Sequence, residues 1–171
     1  MQKTLQAAVL ELIRRTSSDL PKDVEEALKS AKDKEKKSSP AAGALSVILD
    51  NVELARENST PLCQDTGTNI FHIWYGPDWS PMEIEKAIKG ATRKASKQGY
   101  LRLNVVDPIT GANTGNNLGI ANPQMHFHPW KRKGVRMTLL LKGGGSENVS
   151  TQYKLPDTRL DAGRDMDGVR K

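Results

Sequence analysis

The apolar residues of this chain change their spacing at Pro61, and that change limits what the chain can fold into. Ahead of it they recur at helical intervals. Leu5, Val9, Leu12 and Ile13 fall at i, i+4, i+7 and i+8, one face of a helix over residues 2–15. A second helix is expected after Asp19, a capping type, with Pro21 early in it and Val24, Ala27, Leu28 and Ala31 facing inward. A third follows Pro40, with Leu45, Ile48, Leu49 and Val52 on its inner face. It ends near Asn58, because Pro61 disfavours helix in the residue before it. Beyond Gly67 the signals are those of strands. The stretch 69–75 is aromatic and β-branched, and Gly76-Pro-Asp-Trp-Ser makes a turn. Ser80 is placed to cap a helix, with Pro81 at its first position and Glu83 completing a capping box. Ile84, Ala87, Ile88, Ala91 and Ala95 form its buried face, and Gly99 ends it. Residues 101–106 read as a short strand, 110–122 as a loop rich in Gly and Asn, and 124–127 and 135–141 as two more strands.

The predicted fold class is α+β: an N-terminal helical layer followed by a small mixed β-sheet with a packed helix, the sheet having roughly three to five strands. A doubly wound fold is not expected, since strands and helices do not alternate. The whole of 1–171 reads as a single domain, helical over 1–60, mixed over 61–152, with an extended tail over 153–171.

Composition narrows the function classes. No apolar run approaches the length that spans a bilayer, and the N-terminus lacks the apolar core of a signal peptide. The one cysteine cannot form an intrachain disulfide, so a cytoplasmic location is expected. The net charge of +6 invites a nucleic-acid partner. The densest basic run, from Lys29 to Lys37, is interrupted by Asp33 and Glu35 and reads as a solvated helix end. No nucleic acid is expected, and small anionic substrates suit the charge.

The polar chemistry concentrates in a few places. Pro61-Leu-Cys-Gln-Asp-Thr-Gly67 sets a soft ligand, an amide, a carboxylate, a hydroxyl and a glycine in a row. A single cysteine is commonly a small core residue. Here it stands in a polar turn between Pro61 and Gly67, which leaves ligand and nucleophile open. Asp65 would disfavour a free thiolate by like-charge repulsion, an objection that vanishes when the thiolate binds a metal. After the 135–141 strand, Gly143–Gly145 let the backbone approach a ligand and aim amides at an anion, or simply make a flexible turn. The string lacks the lysine that follows the glycines of a P-loop, so ATP binding is not expected. Asn113–Asn117 reads as turn chemistry. His126 and His128 are expected to face opposite sides of a strand and so not to share a metal, and His72 stands alone. Arg102, beside the Asp107-Pro108 turn, suits either a surface ion pair or a bidentate carboxylate clamp.

Taken in order, these pieces resemble the class I, iron–sulfur-dependent fumarate hydratases and their relatives, the tartrate dehydratase α subunits. The matching strings are Pro61–Gly67, Leu101-Arg-Leu-Asn104 with Asp107-Pro108, Asn113–Asn117, Lys142-Gly-Gly-Gly-Ser-Glu-Asn148 and the tail 162–171. The resemblance implies a [4Fe–4S] cluster on three cysteines, with one iron left as a Lewis acid for a hydroxy dicarboxylate. By position it makes Cys63 the first cluster ligand. Gln64 and Asp65 would contact substrate, with Asp65 in the catalytic group, Arg102 would clamp a carboxylate, and Gly145 and Asn148 would line the pocket. It also implies a homodimer, or pairing with a separate C-terminal or β part. The chain has neither of the two further cysteines, so it is expected to be an N-terminal piece, inactive by itself, of a hydro-lyase for malate and fumarate. Tartrate or another hydroxy diacid is the alternative substrate, and a non-catalytic anion-binding or interaction module the alternative role.

Overall fold

The computed structural model describes residues 2–143 and 153–170. Three helices come first: α1 (Gln2–Ser18), α2 (Lys22–Lys34) and α3 (Pro40–Asn58). Strand β1 (Thr68–Tyr75), helix α4 (Pro81–Lys97), strands β2 (Gln124–Pro129) and β3 (Val135–Lys142), and a short α5 (Met166–Arg170) complete the order. The architecture is α+β, as the sequence predicts.

The sheet has the order β2-β1-β3. β1 runs parallel to β2, with His72 opposite His126, and antiparallel to β3, with His72 opposite Thr138. The parallel pair requires a crossover, and α4 supplies it. One sheet face is covered by α1 and α4. Phe71 and Ile73 of β1, Leu139 of β3, Val9 and Ile13 of α1, and Ile84, Ile88, Ala91 and Ala95 of α4 form one buried cluster with Leu101. Each large aliphatic or aromatic side chain fully withdrawn from water there contributes about 1.5–3 kcal/mol. The predicted inner face of α4 is buried in full.

Elsewhere local signals and packing part company. Ser80 is the N-cap of α4, but its hydroxyl makes no capping bond; its carbonyl accepts from Glu83 N and Ile84 N instead. Side-chain capping occurs at α3, where Ser39 Oγ accepts from Ala42 N at 3.1 Å. The N-cap of α2 is Pro21 rather than Asp19. None of the α2 residues is buried, Val24 included: α3 packs on α2 but leaves Val24 in water and Leu28 only half-buried. That helix leans on Arg56 of α3, which holds Asp19 at 2.8 Å and Glu25 at 2.6 Å. Ile48 is likewise exposed, and α3 packs through Ala42, Val52 and Ala55. The expected strand at 101–106 pairs with no strand; only Val106 makes an isolated bridge, to Asn113. Residues 153–170 carry turns, a bridge between Asp157 and Ala162, and α5, so they do not run as one extended arm.

The histidine expectation is overturned. Side chains two apart on a strand share a face, so His126 and His128 stand together, and β1 adds His72 and Trp74 beside them. The His72 ring stacks 4.8 Å from that of His126 and 5.8 Å from that of His128. The face they occupy is the one turned away from α1 and α4.

Candidate functional site

The turn after α3 is anchored from two sides and braced within. Leu62 N donates to Ser17 O at 2.8 Å, tying it to the end of α1. Asn51 Nδ2 donates to Leu62 O at 2.9 Å, tying it to α3. Within the turn, Thr66 Oγ1 donates to Cys63 O at 3.0 Å. Pro61 cannot extend the helix, and α3 closes on Ser59 in the left-handed region at φ 52°. Cys63 and Gln64 are consequently held outward. The Cys63 thiol is exposed, which removes the reading of it as core filling.

Two close approaches bring the other strings to this turn. A Cβ on Gly67 would sit 2.4 Å from Arg102 O and 2.6 Å from Asn104 Cβ, so only glycine lets the backbone of 102–104 lie against it. Asn104 Nδ2 also donates to Gln64 O at 3.1 Å. A Cβ on Gly143 would sit 2.0 Å from Asp65 Cγ, so the first glycine of the string is where the Asp65 side chain rests. Cys63, Gln64, Asp65, the Arg102 segment and the start of the glycine string thus meet at one end of the sheet. Arg102 is exposed, and among the described residues no ion pair engages its guanidinium. Gly145 and Asn148 lie outside the described residues.

Behind these groups lies a set of asparagines whose roles a turn-propensity reading misses. Asn117 is 1% exposed and left-handed at φ 55°. Its Oδ1 accepts from Asn104 N at 3.1 Å and Val105 N at 3.4 Å. Its Nδ2 donates to Arg102 O at 2.9 Å and Ser96 Oγ at 3.1 Å. The side chain does for 102–105 what a neighbouring strand would have done, which is why that stretch is held in place without a ladder. Asn113 Nδ2 donates to Leu103 O at 2.6 Å, and Asn122 Nδ2 to Asn117 O. Asp107 closes the next turn. Its carboxylate is held below its ordinary pKa by the backbone N–H of Thr110, then that of Ile109 and the Thr110 hydroxyl. The cluster of asparagines at 113, 116 and 117 is the signal that could have pointed to this scaffold.

The donor set sets a limit on metal chemistry. Among the described residues no group of three or more His, Cys, Asp and Glu side chains is arranged to hold a metal ion. The exposed thiol fits one corner of a cluster held by three cysteines, and the chain brings no second thiol. Its residues alone therefore do not fit the complete group. Among the described residues no helix is long and apolar enough to cross a membrane.

Comparison with known proteins gives consistent results. The family described as fumarate hydratase (Fumerase) matches residues 6–171. A Geobacillus stearothermophilus protein, provisionally described as a class I fumarate hydratase, is 43% identical over 98% of this chain and 33% of its own length. A Methanocaldococcus jannaschii protein, provisionally described as an L(+)-tartrate dehydratase subunit alpha, is 37% identical over 83% of this chain and 51% of its own. The L(+)-tartrate dehydratase subunit alpha of Escherichia coli K12 is 33% identical over 63% and 35% respectively. The chain thus spans about a third to a half of the length of these relatives.

Proposed function

The chain belongs to the fumarate hydratase (Fumerase) family, and from that premise we propose that it is one part of a [4Fe–4S]-dependent hydro-lyase that reversibly dehydrates malate to fumarate in the cytoplasm. The observation that carries this reading is the meeting of the Cys63 turn, the Arg102 segment and the glycine string, bound together through Gly67 and Gly143. A cluster of this kind supplies a Lewis acid that makes hydroxide a feasible leaving group. Cys63 would hold one corner of it, and the other thiolates would have to come from outside this chain.

The chain's own groups have the following parts. The Arg102 guanidinium clamps a substrate carboxylate through two parallel hydrogen bonds, for which its planar fork is suited. Gln64 and Asp65 contact the substrate next to Cys63, and Asp65 belongs to the catalytic group. Gly145 and Asn148 offer amides to the second carboxylate. Asn117 holds the Arg102 backbone in register behind them. As a separate chain the protein is inactive, and it pairs with a polypeptide that completes the site or forms a dimer as part of a longer one.

Tartrate is the second substrate reading, favoured by the two relatives described as tartrate dehydratase alpha subunits. The test is a chimera in which this chain replaces the matched stretch of the G. stearothermophilus relative. Dehydration of malate, with little turnover of L-tartrate, is the expected result. Preference for tartrate would favour the second reading. A folded, cluster-loaded chimera that turns over no hydroxy diacid would contradict both, and would leave a non-catalytic anion-binding module.

A further inference from the structure

We propose that the uncovered face of the three-stranded sheet is the docking surface for the polypeptide that completes the site, and that this polypeptide meets it with carboxylates and apolar groups. The inference rests on the functional reading above and adds the surface at which the missing part binds.

The inner sheet face is sealed by α1 and α4. The outer one is covered by no described element. On it Trp74 stacks against His128 at 5.1 Å and against His72 at 6.4 Å, and the Arg136 guanidinium lies 5.4 Å from the Trp74 ring. Leu140, on the same face, is 52% exposed. A sheet face turned to water ordinarily carries polar and charged side chains. A tryptophan, a leucine and three stacked imidazoles form an unusual outward row, of the aromatic and arginine composition found at the centre of interfaces. The outward positions of all three strands carry no Asp or Glu, so the surface is complementary to an acidic partner.

Position supplies the second argument. In the register, Thr68 lies opposite Lys142, then Ile70 opposite Leu140, then His72 opposite Thr138, then Trp74 opposite Arg136. Lys142 immediately precedes Gly143, on which Asp65 rests. The outward row therefore ends, at Thr68 and Lys142, one residue from Gly67 and Gly143, at the end of the sheet where the Cys63 turn packs. A polypeptide that brings thiolates to Cys63 has this surface beside it, and the relatives carry one to two further lengths of chain from which it can come. Stacking among the rings leaves their faces occupied by one another, which disfavours the use of this row as a platform for nucleic-acid bases.

The test is carbethoxylation of His72, His126 and His128 by diethyl pyrocarbonate, followed residue by residue by mass spectrometry. It compares this chain alone with the chimera described above. We expect the three histidines to react at least tenfold more slowly in the chimera, and Trp74→Lys to restore their reactivity and open the junction to protease. If the chimera aggregates, co-expression of the two parts as separate chains replaces it, and failure to co-purify overturns the proposal. Equal reactivity in the chain alone and in the chimera also overturns it. So does protection that appears in the chain alone as its concentration rises, which would assign the face to a second copy. The readout separates the proposal from the function: a cluster-loaded, active chimera with reactive histidines refutes only the docking face, and protected histidines without activity refute only the function.

Discussion

Replacing Asn117 by alanine is expected to remove a large share of the stability of the site scaffold. The side chain is buried and makes four hydrogen bonds, two as acceptor from Asn104 N and Val105 N and two as donor to Arg102 O and Ser96 Oγ. Truncation leaves Val105 N unpaired, at about 1–3 kcal/mol when sheltered from water, while Asn104 N keeps a 3.1 Å bond to Arg102 O. The bonds to Asn104 N, Arg102 O and Ser96 Oγ are lost as well, each from a group that retains another partner, and bring the sum to roughly 2–4 kcal/mol. Alanine at φ 55° adds about 1 kcal/mol of left-handed strain that asparagine tolerates. The total, roughly 3–5 kcal/mol, is a third or more of the stability of many domains. Equilibrium urea unfolding reads it directly. Asn117→Gly relieves the strain but not the lost hydrogen bonds, and is expected to fall about 1 kcal/mol short of the alanine effect. Alanine and glycine variants that both unfold within about 1 kcal/mol of the parent would refute the account of Asn117 as the side chain that stands in for a missing strand.

Three further outcomes follow from the same geometry. Gly67→Ala drives a Cβ into the Arg102 carbonyl, a backbone atom that cannot swing away, and is expected to cost about 1–3 kcal/mol, or roughly 2–10 °C in a thermal melt. Gly43→Ala, in α3 with nothing within 4 Å of the new Cβ, is expected to raise the melting temperature slightly through helix propensity. Glu11 is held down from its ordinary 4.5 to about 2, first by its hydrogen bond to Arg14 and then by that to Arg15. A depressed carboxyl contributes stability that is complete above its unfolded pKa and drains as pH falls through the folded one. Melting temperature should therefore decline between about pH 4.5 and pH 2, and Glu11→Gln should flatten that decline, modestly because the pair is half exposed to solvent.

What the sequence revealed and what it hid have distinct physical origins. The α4 face was legible because Ile84, Ala87, Ile88, Ala91 and Ala95 repeat at the helical period and α1, together with the sheet, covers them. The faces of α2 and α3 carry comparable patterns, but no second surface meets Val24 or Ile48, and a periodicity cannot report what lies opposite it. The 101–106 stretch has strand-like residues. Its N–H groups are taken by Asn117 from a distance in sequence that no local window spans. The histidines were misplaced through the two-residue period itself, which puts His126 and His128 on one side. At the site, the Cys63 turn and the glycine string could each be singled out by composition. Their contact could not, because it depends on β1 and β3 lying antiparallel, with Thr68 opposite Lys142.

The most direct test of the central claim is the ligand role of Cys63. The chimera is reconstituted anaerobically with iron and sulfide, and its absorbance and Mössbauer spectra are compared with those of Cys63→Ser and Cys63→Ala. The thiol is exposed, so both variants should melt within about 0.5 kcal/mol of the parent before reconstitution. The parent is expected to show sulfide-to-iron charge-transfer absorbance and malate dehydration, and either substitution to abolish both. A cluster that assembles with the same spectrum and the same activity in the absence of the Cys63 thiol would contradict the ligand role.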